Sequence, residues 1–191
     1  IPSTVTTIEA YAFTNNRELL TVKIPASVTT IGAYAFTYCL NLTTVTNLTK
    51  VRRFEEGVFS NCWRLSSIYA GDVHYFGTKA FSNCSNLKTV STRALREMGD
   101  SVFYKCTSLQ EISIPNTVKS IGKQTFYGCT ALKRISFTSA VTAIGDAAFY
   151  DCKALSGVYY GGTEEQWSAI TIGANNGYLT NAARYYNSLS F

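Results

Sequence analysis

Charge is scarce in this chain. Asp, Glu, Lys and Arg make up 15% of its 191 residues, against about 25% in an ordinary soluble domain. The surface must therefore be covered by neutral polar groups, and Ser, Thr, Asn and Tyr supply them, a composition commoner in extracellular binding proteins than in cytosolic enzymes. The imbalance of charge is small: 17 basic against 12 acidic residues, a net charge of +5, a pI of 8.9 and no basic run longer than two. Nucleic-acid-binding domains concentrate Lys and Arg far more heavily, so no nucleic-acid partner is expected. No stretch approaches the ~18 consecutive apolar residues of a membrane span, so this segment is not expected to insert in a bilayer. The only histidine is His74, too little for imidazole-based chemistry without an oriented partner. Gly161 and Gly162 lack the Lys of a phosphate-cradling loop. The carboxylate pairs Glu55–Glu56 and Glu164–Glu165 fit helix N-termini, where the dipole favours them without any glycosidase role. No catalytic residue, metal site or cofactor is expected.

What the chain has in abundance is repetition. A skeleton of Phe, two residues, Cys, two residues and Leu recurs throughout, and residues 103–126, FYKCTSLQEISIPNTVKSIGKQTF, show one full unit. The Phe returns as Phe13, Phe36, Phe59, Phe81, Phe103, Phe126 and Phe149, every 22 or 23 residues, each followed six residues later by Leu19, Leu42, Leu65, Leu87, Leu109, Leu132 or Leu155. A fixed period of this length marks a solenoid, whose units bury their apolar faces only against neighbours. After each Leu a short run alternates, as in LQEISI, with the fourth and sixth places inward and the third and fifth outward. Stacking the outward places gives two rows, Thr21, Thr44, Ser67, Thr89, Glu111, Arg134, Gly157 and Lys23, Thr46, Tyr69, Ser91, Ser113, Ser136, Tyr159. A second apolar pair, such as Val28 with Ile31 or Val118 with Ile121, predicts a shorter extended segment on the far side of the coil. Segments such as GAYAF and GDAAF then read as a helical turn carrying the Phe. The expected fold is one α/β solenoid over residues 1–160: a right-handed superhelix of seven copies with a parallel sheet, short far-side strands and helical turns.

The period breaks after Val158, and residues 161–191 read as a C-terminal cap. Thr163 with Gln166 is a capping-box signature for a short helix, with Glu164 and Glu165 at its positive end. Trp167, Ile170 and Ile172 are expected to form a lid over the last coil, and Tyr185 and Tyr186 a last edge strand, because an open terminal rung invites aggregation. At the other end Ile1 and Pro2 align with Ile24–Pro25 and Ile114–Pro115, so the sequence opens within a repeat and any signal peptide is expected upstream.

The cysteines follow the repeat. Cys39, Cys62, Cys84, Cys106, Cys129 and Cys152 each stand three residues after a repeat Phe, and Asn16 fills the slot in the first copy. A slot that accepts Cys or Asn resembles the N/C position of leucine-rich repeats, which implies a side chain pointing inward at the turn, so buried thiols are expected. Rungs ~4.8 Å apart put neighbouring cysteines within disulfide range, so spacing leaves bridges open. A ladder of equal steps does not supply the closed tetrahedron of a zinc site.

The pattern IPxxVxxIGxxAFxxCxxL, present as IPASVTTIGAYAFTYCLNL and IPNTVKSIGKQTFYGCTAL, resembles the BspA-type, or Treponema pallidum class, of leucine-rich repeats. The resemblance covers residues 1 to about 160, and VYYGGTEEQW is similar to endings of such proteins. It implies a leucine-rich-repeat superhelix in a secreted or cell-surface protein, chiefly of mouth and gut bacteria and some parasitic protists. It also implies adhesion to host or matrix proteins such as fibronectin and fibrinogen. Copies three to five depart from the pattern, with ALREM at residues 94–98 and Tyr-Ala-Gly at residues 69–71.

Those departures either bend the array or carry its binding surface, and on the second reading they mark the candidate ligand-binding residues. Arg52, His74, Arg96 and Lys119 fill one slot in four consecutive copies and would form a basic row with ~4.8 Å steps. The ordinary reading of such a row is a solvated edge offset by Glu97 and Asp72; the functional reading is an anionic partner, an acidic glycan or a protein's acidic patch. Tyr69, Tyr75 and Arg53 lie in the same copies, and Tyr and Arg are the side chains most often energetic at interfaces. The expected activity is a non-catalytic binding module, with a structural spacer as the alternative; oligomeric state is not legible.

Overall fold

A computed structural model describes residues 1–189. In chain order its elements are β1 (Thr7–Ile8), β2 (Thr21–Lys23), β3 (Thr30–Ile31), β4 (Thr44–Thr46), β5 (Arg53–Phe54), β6 (Ser67–Tyr69), β7 (Tyr75–Phe76), β8 (Thr89–Ser91), β9 (Glu97–Met98), β10 (Glu111–Ser113), β11 (Ser120–Ile121), β12 (Arg134–Thr138), β13 (Ala143–Ile144), β14 (Gly157–Gly161), α1 (Glu164–Ser168), β15 (Thr171–Ile172), α2 (Gly177–Thr180) and β16 (Ala183–Tyr186). Even-numbered strands pair on one face of a solenoid and odd-numbered strands on a second, always in parallel. Each coil contributes one strand to each face, and the chain winds through eight coils. The alternation works as the sequence predicts: Val22, Val45, Ile68, Ile112, Ile135 and Val158 are buried from the main strands. On the second face the inward stack runs Ile8, Ile31, Phe54, Phe76, Met98 in register.

The third side of each coil corrects the expectation of helical turns. The segments carrying Phe are turns with two left-handed residues each, two before and two after the ring: Tyr34 (φ 57°) and Tyr38 (φ 58°) around Phe36, Ser101 (φ 57°) and Lys105 (φ 55°) around Phe103. Alternate amides point to the next coil. The N–H groups of Tyr34, Phe36 and Tyr38 donate to Glu56, Val58 and Ser60 at 2.8, 2.9 and 2.9 Å, while those of Ala35, Thr37 and Cys39 close within the turn. A helix would keep every such bond inside one segment. The left-handed geometry costs about 1–2 kcal/mol per non-glycine residue, and the offset is a third hydrogen-bonded ladder over a buried core that leaves few amides without partners. Glu55 and Glu56 accordingly cap no helix. Glu55 pairs with Arg53 at 2.9 Å, and Glu56 accepts the Tyr34 hydroxyl, which pushes that phenol up to about 12. The helices lie in the final coil only. Thr163 and Gln166 do form a capping box on α1, Trp167 packs on Phe137 and Tyr160, and β15 and β16 continue the two faces beside β13 and β14.

Inside, the repeat Phe rings form one column with centroids 5.1 to 5.7 Å apart. The cysteines line it. Each is buried and free, and each thiol donates to the carbonyl of the Phe one coil back, from Cys39 to Phe13 at 3.1 Å through Cys152 to Phe126 at 3.1 Å. That carbonyl already accepts an amide of its own turn, so the thiol takes its second lone pair. Where the slot is fully buried its residue must be small, apolar and able to donate, which is why cysteine recurs there, while the half-buried slot of the first copy holds Asn16. Burial pushes the thiols up, to about 11 for Cys39 and about 12 for Cys84 and Cys152. In native protein no cysteine is expected to react with a thiol reagent, and all six are expected to react after denaturation without reductant; their failure to appear would mean bridges instead.

One junction in the array is different. Both sheets stop between the fourth and fifth copies: the main face runs β2-β4-β6-β8 and resumes at β10, and the second runs β1-β3-β5-β7-β9 and resumes at β11. Turn length is the cause. Nine residues separate Leu42 from Val51 and Leu109 from Val118, but eight separate Leu65 from Val73 and Leu87 from Leu95. Two coils with a shortened turn therefore sit between coils with full ones, and register is lost at both changes. Entering the short pair, β4 and β6 keep a single register pair, Thr44 with Ser67; leaving it, β8 and β10 keep none. Threonine hydroxyls bridge this seam, Thr92 Oγ1 donating to Ser113 O at 2.5 Å and Thr117 Oγ1 to Leu95 O. The Phe side is unbroken, with Lys79, Phe81 and Asn83 donating across it to Asp100, Val102 and Tyr104 at 2.9, 2.9 and 2.7 Å.

Candidate functional site

The seam opens a groove on each face. On the second face a groove of about 520 Å³ is lined by Tyr75, Arg96, Glu97, Met98, Thr117, Lys119 and Ser120. On the main face a groove of about 650 Å³ lies between β8 and β10, with Thr92, Arg93, Asn116 and the half-buried Val90 along it. Val90 is the only central main-strand residue of the seven copies that is not fully enclosed, because its neighbour across the seam is out of register.

The predicted residues divide between these faces. The basic row exists as a stack for three members: the amides of His74 and Arg96 donate to the carbonyls of Arg52 and His74, both at 2.8 Å. Lys119 lies beyond the seam, where that ladder is interrupted, and reaches Arg96 across the groove rather than along a strand pairing. Arg52 is occupied: its guanidinium lies 3.8 Å from Asp72 and donates to Thr49 O at 3.0 Å. So is Arg53, bonded to Glu55 and laid over the Tyr75 ring at 4.0 Å. Arg96 and Lys119 are exposed and form no ion pair among the described residues. Tyr69 is 78% exposed but belongs to β6 on the main face, apart from the rest. The structure thus brings Tyr75, Arg96 and Lys119 together at one groove, sets Arg52, Arg53 and His74 beside it along the same face, and leaves Tyr69 elsewhere.

Charged and aromatic members of the outward rows on the main face are used internally. Glu111 and Arg134, the charged interruptions of the main face, bond to each other at 2.7 Å, and Tyr159 stacks on Tyr185 at 4.7 Å. His74 is half-buried, and its backbone serves the ladder. Sequence reasoning missed both grooves, although the signal was present in the two shortened 22-residue periods.

Comparison with known proteins agrees with this architecture. A family model, the BspA type leucine-rich repeat region, matches residues 1–95 and 96–171 with 6 copies. Among solved structures, a leucine-rich cell surface protein from Faecalibacterium prausnitzii A2-165 is similar at 33% identity with a TM-score of 0.64, over 89% of this chain and 55% of that one. A leucine-rich repeat protein from Bacteroides ovatus ATCC 8483 is similar at 25% identity with a TM-score of 0.72, over 97% of this chain and 55% of that one. The leucine-rich repeat protein of T. pallidum shares the fold, with 22% identity, a TM-score of 0.58 and coverage of 88% and 67%. This chain therefore spans little more than half the length of the first two. No curated protein matches it.

Proposed function

The chain belongs to the BspA-type leucine-rich repeat family, and from that premise we propose that it is a non-catalytic binding module of a cell-surface or secreted protein. Its partner is an anionic surface of a host or matrix protein or glycan, met at the second-face groove. The observation that carries this reading is the pair of exposed cations without acidic partners, Arg96 and Lys119, on opposite sides of a groove whose only carboxylate is Glu97. Tyr75 supplies an aromatic wall held by the Arg53 guanidinium, and Arg52, Arg53 and His74 continue the polar edge along the solenoid. An array of stacked coils suits this work, since each rung places its outward side chains at a fixed step from the next. The relative from F. prausnitzii is described as a cell surface protein, which supports the same location here.

The test is binding to immobilised heparin and fibronectin at low and high salt. Exposed cations are screened within about 10 Å at 0.1 M salt, so binding is expected to weaken steeply as salt rises. Arg96→Glu combined with Lys119→Glu is expected to reduce low-salt affinity by about tenfold or more while leaving thermal stability unchanged. Equal affinity of the folded double variant would remove the groove from the proposal. Failure of the parent chain to bind either surface would favour the spacer role.

A further inference from the structure

The third side of the solenoid carries a row of tyrosines outside the features considered above. Tyr104, Tyr127 and Tyr150 each follow a repeat Phe, and their rings stack with centroids 4.9 and 5.0 Å apart and planes inclined by 14° and 19°. The row then breaks. Gly173 N donates to Ile144 O as Gly145 N does to Ile121 O, and Ala147 N donates to Ala174 O, so Tyr178 occupies the rung after Tyr150. Yet Tyr178 lies in α2, where the chain keeps the first left-handed residue of the turn, Asn175 (φ 63°), but turns helical in place of the second, and its ring forms no stack with Tyr150. The two rings stay 45% and 40% exposed.

Between them lies a groove of about 620 Å³, lined by Tyr150, Leu155, Asn175, Tyr178, Asn181 and Ala182. Gly177 forms part of its wall, and a Cβ there would meet no atom within 4 Å. No charged side chain lines the groove, and nearby Lys153 and Asp151 pair with each other at 3.0 Å. The carboxamides of Asn175 and Asn181 are exposed and make no hydrogen bond among the described residues.

We propose that this groove binds a neutral saccharide ring, seated on the face of Tyr150 that Tyr127 leaves open, with the Asn175 and Asn181 carboxamides bonded to ring hydroxyls. The C–H face of a pyranose is apolar and weakly positive, which matches the negative face of an aromatic ring. Each hydroxyl both donates and accepts, as does a carboxamide. An anion would find no cation in the lining, and the volume is that of a small-ligand site rather than a protein interface. The site stands on a different side of the coil from the basic groove and does not depend on it.

The probes are neutral hexasaccharides of β-1,4-glucose, α-1,4-glucose, β-1,3-glucose and β-1,4-N-acetylglucosamine, titrated calorimetrically into the whole chain. At least one is expected to bind with a Kd below about 1 mM, and to do so equally at low and high salt. Tyr150→Ala is expected to weaken that binding by about tenfold. Gly177→Phe, which fills the groove at a position with room for a side chain, should abolish it, and Tyr178→Ala provides a second variant if either fails to fold. Arg96→Glu with Lys119→Glu should leave it intact, so loss of the basic-groove proposal and loss of this one are separate results. No heat with any of the four at about 5 mM, or binding that survives Tyr150→Ala and Gly177→Phe, overturns the assignment. Binding that disappears at high salt, or that is seen only with heparin, does so too.

Discussion

Between about pH 9 and pH 11 the array is expected to unfold, in a transition steep enough to count the protons that drive it. The cause is the thiol column. Cys62, Cys84, Cys106, Cys129 and Cys152 are fully buried, and desolvation pushes each above the ordinary value of 9.0, with Cys84 and Cys152 at about 12. These are folded-state values raised above the unfolded ones. Below about pH 9 the thiols are neutral in both states and their contribution to stability is fully present; above it the unfolded chain ionises while the folded chain does not, so stability falls until the folded values near 12 are reached. Each thiol that stays neutral in the folded chain while it ionises in the unfolded one contributes about 1.4 kcal/mol per pH unit, so a column of them removes several kcal/mol per unit. The whole stability of a domain is about 5–15 kcal/mol. Urea denaturation at a series of pH values, with reductant present, reads the slope directly. Replacing Cys84 and Cys106 by Ser puts a hydroxyl donor in place of each thiol donor, removes two titrating groups and should make the slope shallower by about two protons. Equal stability at pH 8.5 and pH 10.5 would sink the idea.

Phe81→Ala is expected to cost about 3–5 kcal/mol and to split one unfolding transition into two. Phe81 is fully buried, stacked between Phe59 at 5.7 Å and Phe103 at 5.6 Å, with Phe54 and Phe76 edge-on at 5.7 and 5.3 Å. Large-to-small changes in a packed core lose transfer energy and leave a cavity. Its position matters as much as its burial. The seam between the fourth and fifth copies lacks strand pairing on both faces, so the Phe column and its ladder are the main coupling between the two halves. In a quasi-one-dimensional array stability is a sum of coil and interface terms, and weakening the weakest interface separates the halves. Phe36→Ala removes a ring of equal burial beside intact pairing of β3 with β1, and should lower stability within one transition. Scanning calorimetry decides between these outcomes: a single transition for Phe81→Ala, with equal enthalpy loss in both variants, would mean that the seam does not weaken coupling.

The sequence alone determined the coil period, the inward and outward faces of the main strands, the column of Phe and Cys, and the capping box at Thr163 and Gln166. These are properties of one unit repeated, and a copy-to-copy comparison averages them into a clear signal. The family followed from the same repetition.

Tertiary structure decided the rest. GAYAF and GDAAF carry good helix formers, but as turns their alternate amides bond to the next coil, and a contact between coils is invisible to local propensity. The shortened turns of the third and fourth copies are present in the sequence as a count, while their effect, two broken sheets and a groove on each face, exists only once the coils are stacked. Arg52, Arg53, His74, Tyr75, Arg96 and Lys119 share a face because their slots recur together. Tyr69, six residues before Tyr75, went to the other sheet because a turn lies between them. The gap after Tyr150 arises because Tyr178 lies in α2 and out of the ring stack.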